Sequence, residues 1–264
     1  MPSFAWVPFW KSLLLAATVV GVAPGGWAQG VDATLFRRYR ALDGNLERAS
    51  RAVGTGRFAE AQALLEPCLH AIPDHFEAHF LLARMAYEAR DFTGVLAHLA
   101  ISEQSLAALD RLFREQVAQM RAQAEAEEQL AQSNLDAVTS RVADPTGCAA
   151  PLIASLQHEV SALQSRKGPL HSRENPYSVP ADYRFLQGNA HLRLGHRNEA
   201  LGRFRLAVEI DPSHANAWNN LLAMHLDARE DAQARAGLAQ AEAAKIVIRP
   251  DLKKAILEAQ PARP

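Results

Sequence analysis

In the C-terminal part of the chain, residues of one kind return at an interval of thirty-four. Ala200 and Ala234, Phe204 and Leu238, and Ala207 and Ala241 form such pairs, and Gly188/Leu222 and His191/His225 keep the same interval. A fixed period of this length restricts the fold strongly. Each copy must be one supersecondary unit too small to bury its own apolar face, so the copies have to stack. Within a copy, the stretch Tyr183 to Leu194 reads as a first helix and Gly195 lets the chain reverse at its C-terminus. Phe204 and Ala207 form the inward stripe of a second helix, which Asp211-Pro212 stops. Gly188 and Ala200 are small where the two antiparallel helices would approach most closely.

The N-terminal half carries the pattern again. Gly56, Phe58, Ala61, Leu65 and Cys68 lead to Pro73, and thirty-four residues on come Asp91-Phe92-Thr-Gly-Val95 and Leu99, preceded by Leu82-Ala83 and Ala86. Val95 replaces the expected Ala and Ala107 the closing Pro, so this unit is degenerate; in the last unit Ile246 stands where Pro212 stood. The order Gly195, Ala200, Phe204, Ala207, Pro212 resembles the second half of a tetratricopeptide repeat (TPR), with Gly188 as the small residue of its first helix. The resemblance covers about residues 42–109 and 181–247. It implies an all-α solenoid of helix-turn-helix units, in two tandem pairs, that binds other proteins and is not an enzyme.

The resemblance also implies where a protein or peptide would lie, because first helices of successive units line a concave groove in this family. In the C-terminal pair the groove-facing positions are Phe185, Asn189, Leu192, Arg193, Asn216, Asn219, Asn220, Met224 and Asp227. In the N-terminal pair they are Leu46, Ser50, Phe80, Arg84 and Tyr87. Asn189 and Asn220 match two asparagines that grip peptide backbone in the carboxylate-clamp TPR domains; an amide can donate to and accept from an extended chain. Phe185 stands where that clamp has a lysine, and Lys254 only loosely fills a later basic position. Phe80 and Phe185 are expected as exposed aromatics, which favours an apolar or helical ligand.

Between the pairs, Ser105 to Ser140 contains neither Gly nor Pro and keeps an apolar stripe through Leu106, Leu109, Phe113, Val117, Met120 and Ala124. It reads as the long first arm of a divergent hairpin over residues 110–166, whose shorter return helix carries Leu152, Leu156, Val160 and Leu163. Residues 167–180 hold three prolines without a period and read as a loop. Residues 248–260 form an amphipathic capping helix over the end of the stack, with Leu252, Ile256 and Leu257 inward.

The first 28 residues differ from the rest. Lys11, an apolar run from Ser12 to Ala23 and small residues at Gly26 and Ala28 have the layout of a signal peptide cut after Ala28. The run is about a dozen residues against the ~20 of a spanning helix, so the mature chain is expected in the periplasm or outside the cell, without a stable membrane span. An uncleaved anchor is the alternative, because Phe4, Trp6, Phe9 and Trp10 extend the apolar character. A net charge of −1 provides no basic field for nucleic acid.

No phosphate loop, Gly-x-Ser-x-Gly, Cys-x-x-Cys or His-Glu-x-x-His occurs, and no cofactor is expected. One group could bring metal chemistry: Cys68, His70, His75 and His79, of which the last two would share a helix face. A metal carrier or small metalloenzyme at this cluster is therefore the rival reading, and a self-assembling structural protein paired through the long helix is a third. Cys68 lies on an apolar stripe; a bridge to Cys148 is chemically allowed in an oxidising compartment.

Overall fold

Alanine and leucine dominate a chain poor in β-branched residues, and the computed structural model, which describes residues 33–141, 147–171 and 177–259, contains ten helices and no strand among them. The signal segment expected over residues 1–28 lies outside the described residues. The first helices are α1 (Ala33–Gly54), α2 (Phe58–Ala71), α3 (Phe76–Glu88) and α4 (Phe92–Thr139). After α5 (Ala150–His171) come α6 (Ala181–Arg193), α7 (Arg197–Ile210), α8 (Ala215–Asp227), α9 (Asp231–Ala243) and α10 (Pro250–Glu258).

The chain divides into two compact units. One contains Leu42–Leu106 together with the chain from Val179 onward, so both repeat pairs belong to it. Its helices pack as consecutive hairpins: α2 on α3, α6 on α7, α7 on α8 and α8 on α9, with α10 closing against α8 and α9. The two pairs meet where α3 packs on α6. Phe80 stacks on Tyr183 there, with centroids 4.3 Å apart and planes at 10°. The Tyr183 hydroxyl donates to the Phe76 carbonyl at 3.4 Å, and Ser102 Oγ donates to the same oxygen at 2.7 Å.

Each turn from first to second helix repeats one backbone device. Gly56 (φ +74°), Arg90 (φ +62°), Gly195 (φ +82°) and Arg229 (φ +58°) adopt the left-handed conformation. The next residue's N–H then returns to a carbonyl five residues back: Arg57 to Ala52, Asp91 to Ala86, His196 to His191 and Glu230 to His225, each at 2.9 Å. This satisfies carbonyls that a helix end leaves unpaired. The close approach expected at Gly188 is present, since a Cβ there would lie 2.6 Å from Phe204 Cε1. Ala200 and Phe204 are fully buried beside it, as are Ala61, Val95 and Ala234 at the equivalent alanine positions.

At the end of the stack, Leu252 and Ile256 are buried, but Leu257 is 60% exposed. The expectation that Leu257 packs inward is corrected: α10 is short, and one further residue turns the side chain about 100° off the Leu252/Ile256 stripe. Arg235 fastens the C-terminus of α10 by donating to the Ile256 and Ala259 carbonyls. Lys253 pairs with Glu242 at 2.6 Å.

The other unit contains Ala107–Ser178. Ala131 and Leu135 of α4 pack with Ile153 and Val160 of α5, while Val138, Leu156 and Leu163 lie against them. The long helix begins earlier than its Gly- and Pro-free stretch implied. With Ala107 in place of a closing proline, nothing stops the second helix of the second repeat, and α4 runs unbroken for 48 residues. The return helix is also longer than its apolar stripe and continues to His171, into the segment expected as loop. Among the described residues, no helix is long and apolar enough to cross a membrane.

Candidate functional site

The groove-facing positions lie on α1, α3, α6 and α8, and burial sorts them into two groups. Leu46 and Ser50 are buried, so the expectation that they face a groove is corrected: on α1 they belong to the core. Phe80 and Phe185 are half-buried, and neither is the exposed aromatic that was expected. Phe80 is covered by Tyr183, while the Phe185 ring lies 4.8 Å from that of His214 and 6.0 Å from that of Phe204. Large rings at these positions gain more from a neighbouring helix than from water. Met224 is likewise buried.

The polar positions remain at the surface. Arg193, Asn216 and Asp227 are exposed, and Asn189, Asn219 and Asn220 are half-buried. Asn220 Nδ2 donates to Asn189 Oδ1 at 2.8 Å, joining the first helices of consecutive units. The bond leaves the Asn189 NH2 group as donor and the Asn220 carbonyl as acceptor, the two functions that a peptide backbone complements. Asn219 has a different task. Its Nδ2 donates to the Ala215 carbonyl at 2.8 Å and its Oδ1 accepts the Arg249 N–H at 2.9 Å, which caps the start of α10.

Charges at the α3–α6 junction form a layer that the repeat spacing did not reveal. Arg184 Nη1 donates to Glu103 Oε1 at 2.8 Å and to Gln187 Oε1 at 3.0 Å, and Gln187 Nε2 donates to the same Glu103 oxygen at 2.5 Å. Arg84 is half-buried; burial pulls its guanidinium below the ordinary range, while Asp182 and Glu88 push it back up. Asp182 also accepts from His214 Nε2 at 3.2 Å, and His214 Nδ1 accepts the Ala217 N–H at 3.1 Å, capping α8.

The proposed metal group does not assemble. His70 is exposed, and the Cys68 thiol is buried and donates to the Leu64 carbonyl at 3.4 Å. His75 is buried at the N-cap of α3, where desolvation lowers its pKa to about 4. His79 turns Nε2 to the Pro73 carbonyl at 2.9 Å and Nδ1 to His98 at 3.0 Å. Among the described residues, no three His, Cys, Asp or Glu side chains gather where they could hold a metal. The reading of Cys68, His70, His75 and His79 as one ligand set is corrected, because repeat packing points them in different directions. Cys68 and Cys148 are both free thiols.

Stacked helical hairpins of one period, joined along their first helices, place the molecule among helical-repeat solenoid proteins. Residues 46–97 and 185–259 match the model of the tetratricopeptide repeat family. Both matched stretches are tetratricopeptide repeats, and this fold suggests a protein–protein interaction scaffold, generally without catalytic activity. Among solved structures, the chain is similar to the crystal structure of a thermophilic TPR protein of Thermus thermophilus. The two are 17% identical, the match covers 83% of this chain and 98% of that chain, and the TM-score is 0.34. No curated protein matches.

Proposed function

We propose that the chain is an exported TPR scaffold that holds another protein, as an accessory component of an envelope assembly in a bacterial-type periplasm. The observation that carries the binding mode is the Asn189–Asn220 bond, which sets one amide donor and one amide acceptor side by side across two repeats. Exposed Arg193 and Asn216 flank this pair. The partner presents an extended segment whose backbone pairs with both amides, and the half-buried Phe185 offers it an apolar edge. The export half of the proposal rests on the layout of the first 28 residues.

A photoreactive residue at Asn216 tests the binding site in intact cells. The expected result is a discrete adduct in the envelope fraction that is lost when Asn189 and Asn220 are both changed to Ala. An adduct unaffected by the double change, or none at all, overturns the assignment. N-terminal sequencing of the fractionated protein is expected to begin at Gln29; a chain retained in the cytoplasm overturns the export.

A further inference from the structure

His79 and His98 face one another nitrogen to nitrogen. His79 is buried on α3 and His98 half-buried on α4, and their Nδ1 atoms lie 3.0 Å apart with ring planes at 40°. The other His79 nitrogen, Nε2, is 2.9 Å from the Pro73 carbonyl oxygen. A carbonyl only accepts, so Nε2 carries the proton and a neutral His79 keeps its lone pair on Nδ1. Burial, with His79 alongside, holds His98 below the ordinary histidine range although Asp91 acts the other way.

The repeat does not require this second imidazole. Trp218 occupies in the fourth unit the position of His79 in the second, and Trp218 Nε1 donates to the Pro212 carbonyl at 2.9 Å over the same six-residue step. Opposite Trp218, where the second unit has His98, the fourth has Gly237, whose added Cβ would lie 3.8 Å from Trp218 Cζ3. The hydrogen bond to the closing proline thus recurs in the second and fourth units. The apposed histidine belongs to this unit alone.

We infer that His79 and His98 form a two-imidazole site for a first-row divalent cation such as zinc, bound through both Nδ1 atoms. Zinc–imidazole bonds of about 2.0–2.1 Å at a tetrahedral angle hold their nitrogens ~3.3 Å apart, so the rings need to part by a few tenths of an ångström and turn until both lone pairs meet at the metal. The Pro73 carbonyl on Nε2–H is the outer contact that orients a ligating histidine and fixes its tautomer. On binding, the His98 ring proton passes from Nδ1 to Nε2, which leaves the charge of both rings unchanged. Water fills the remaining positions, because no further side chain among the described residues completes the set. Such a site is open and exchangeable, unlike a closed structural zinc site.

Calorimetric titration of zinc chloride into the metal-free full chain at pH 7.5 tests the site, with His98→Gln and His70→Ala in parallel. Glutamine keeps an N–H to offer His79 but has no imidazole, so it separates a ligand from a hydrogen-bond partner. One zinc per chain is expected in the wild type and in His70→Ala, with at least tenfold weaker binding in His98→Gln and an unchanged helical spectrum. Zinc binding that His98→Gln leaves intact overturns the site, as does a wild type that binds no zinc, since the contact is then a hydrogen bond only. Should His98→Gln misfold, ring-nitrogen NMR of the wild type decides: zinc must shift the Nδ1 signals of His79 and His98, and shifts confined to other histidines overturn the site.

Discussion

The ring of Phe204 occupies the space that a side chain at Gly188 would need, with Cε1 and Cδ1 at 2.6 and 2.7 Å from an added Cβ. The fourth unit solves the same contact in reverse: Leu222 takes the glycine's place on the first helix, and Gly237 on the second helix makes room, its added Cβ being 2.8 Å from Leu222 Cδ2. Gly188→Ala is therefore expected to destabilise the protein by about 1–3 kcal/mol through overpacking. Adding Phe204→Leu should restore part of that loss. Chemical denaturation of the two variants checks both signs.

Arg90 and Arg229 carry side chains in a backbone conformation that the other two turns assign to glycine. A left-handed non-glycine residue costs roughly 1–2 kcal/mol. Arg229→Gly is expected to raise the denaturation midpoint by part of this amount, because glycine also gains freedom in the unfolded chain. Gly195→Ala should lower it. A midpoint that falls in Arg229→Gly would mean that the arginine side chain contributes more than its backbone strain costs.

The period made the four turns legible, but only two of their left-handed residues announced themselves. Gly56 and Gly195 name the conformation; Arg90 and Arg229 do so only once the chain is aligned on its own repeat. The groove was read least well. Spacing places a residue on a helix face but does not say what covers it, so Phe80 and Phe185 were expected open although neighbouring rings shield them. Glu103 bonding Arg184 and Gln187, and His98 facing His79, are pairings between helices. No local pattern encodes either one.

Burial lowers the His75 pKa to about 4 against an unfolded value near 6.5. Between these values the unfolded chain holds more protons, so the contribution is complete above pH 6.5 and is lost as pH falls towards 4. At the lower limit the loss approaches roughly 3 kcal/mol. Glu77, raised to about 7 by burial and by Asp43, slopes the opposite way. The informative quantity is thus the stability difference between wild type and His75→Gln, measured with chelator present. It should shrink between pH 7 and pH 5, and a constant difference would refute the assignment.

Phe80 and Tyr183 join the two repeat pairs. A double-mutant cycle with Phe80→Leu and Tyr183→Leu is expected to give a coupling of about 0.5–1.5 kcal/mol, as for other stacked aromatic pairs. In a stack whose stability is a sum of units and interfaces, weakening this interface should also separate one unfolding transition into two. Calorimetry reads that separation directly.

The contact between Phe76 and Tyr183 spans 107 residues of chain. During synthesis, the face of α3 that carries Phe80 is complete long before α6 exists to cover it. The first repeat pair must wait, with an aromatic surface open, until the whole intervening hairpin has been made. Closing so long a loop slows folding, yet doubling its length adds only about 0.6 kcal/mol. The insertion can therefore grow or shrink at little cost to the finished stack, while the interval in which that surface needs protection lengthens with every residue added.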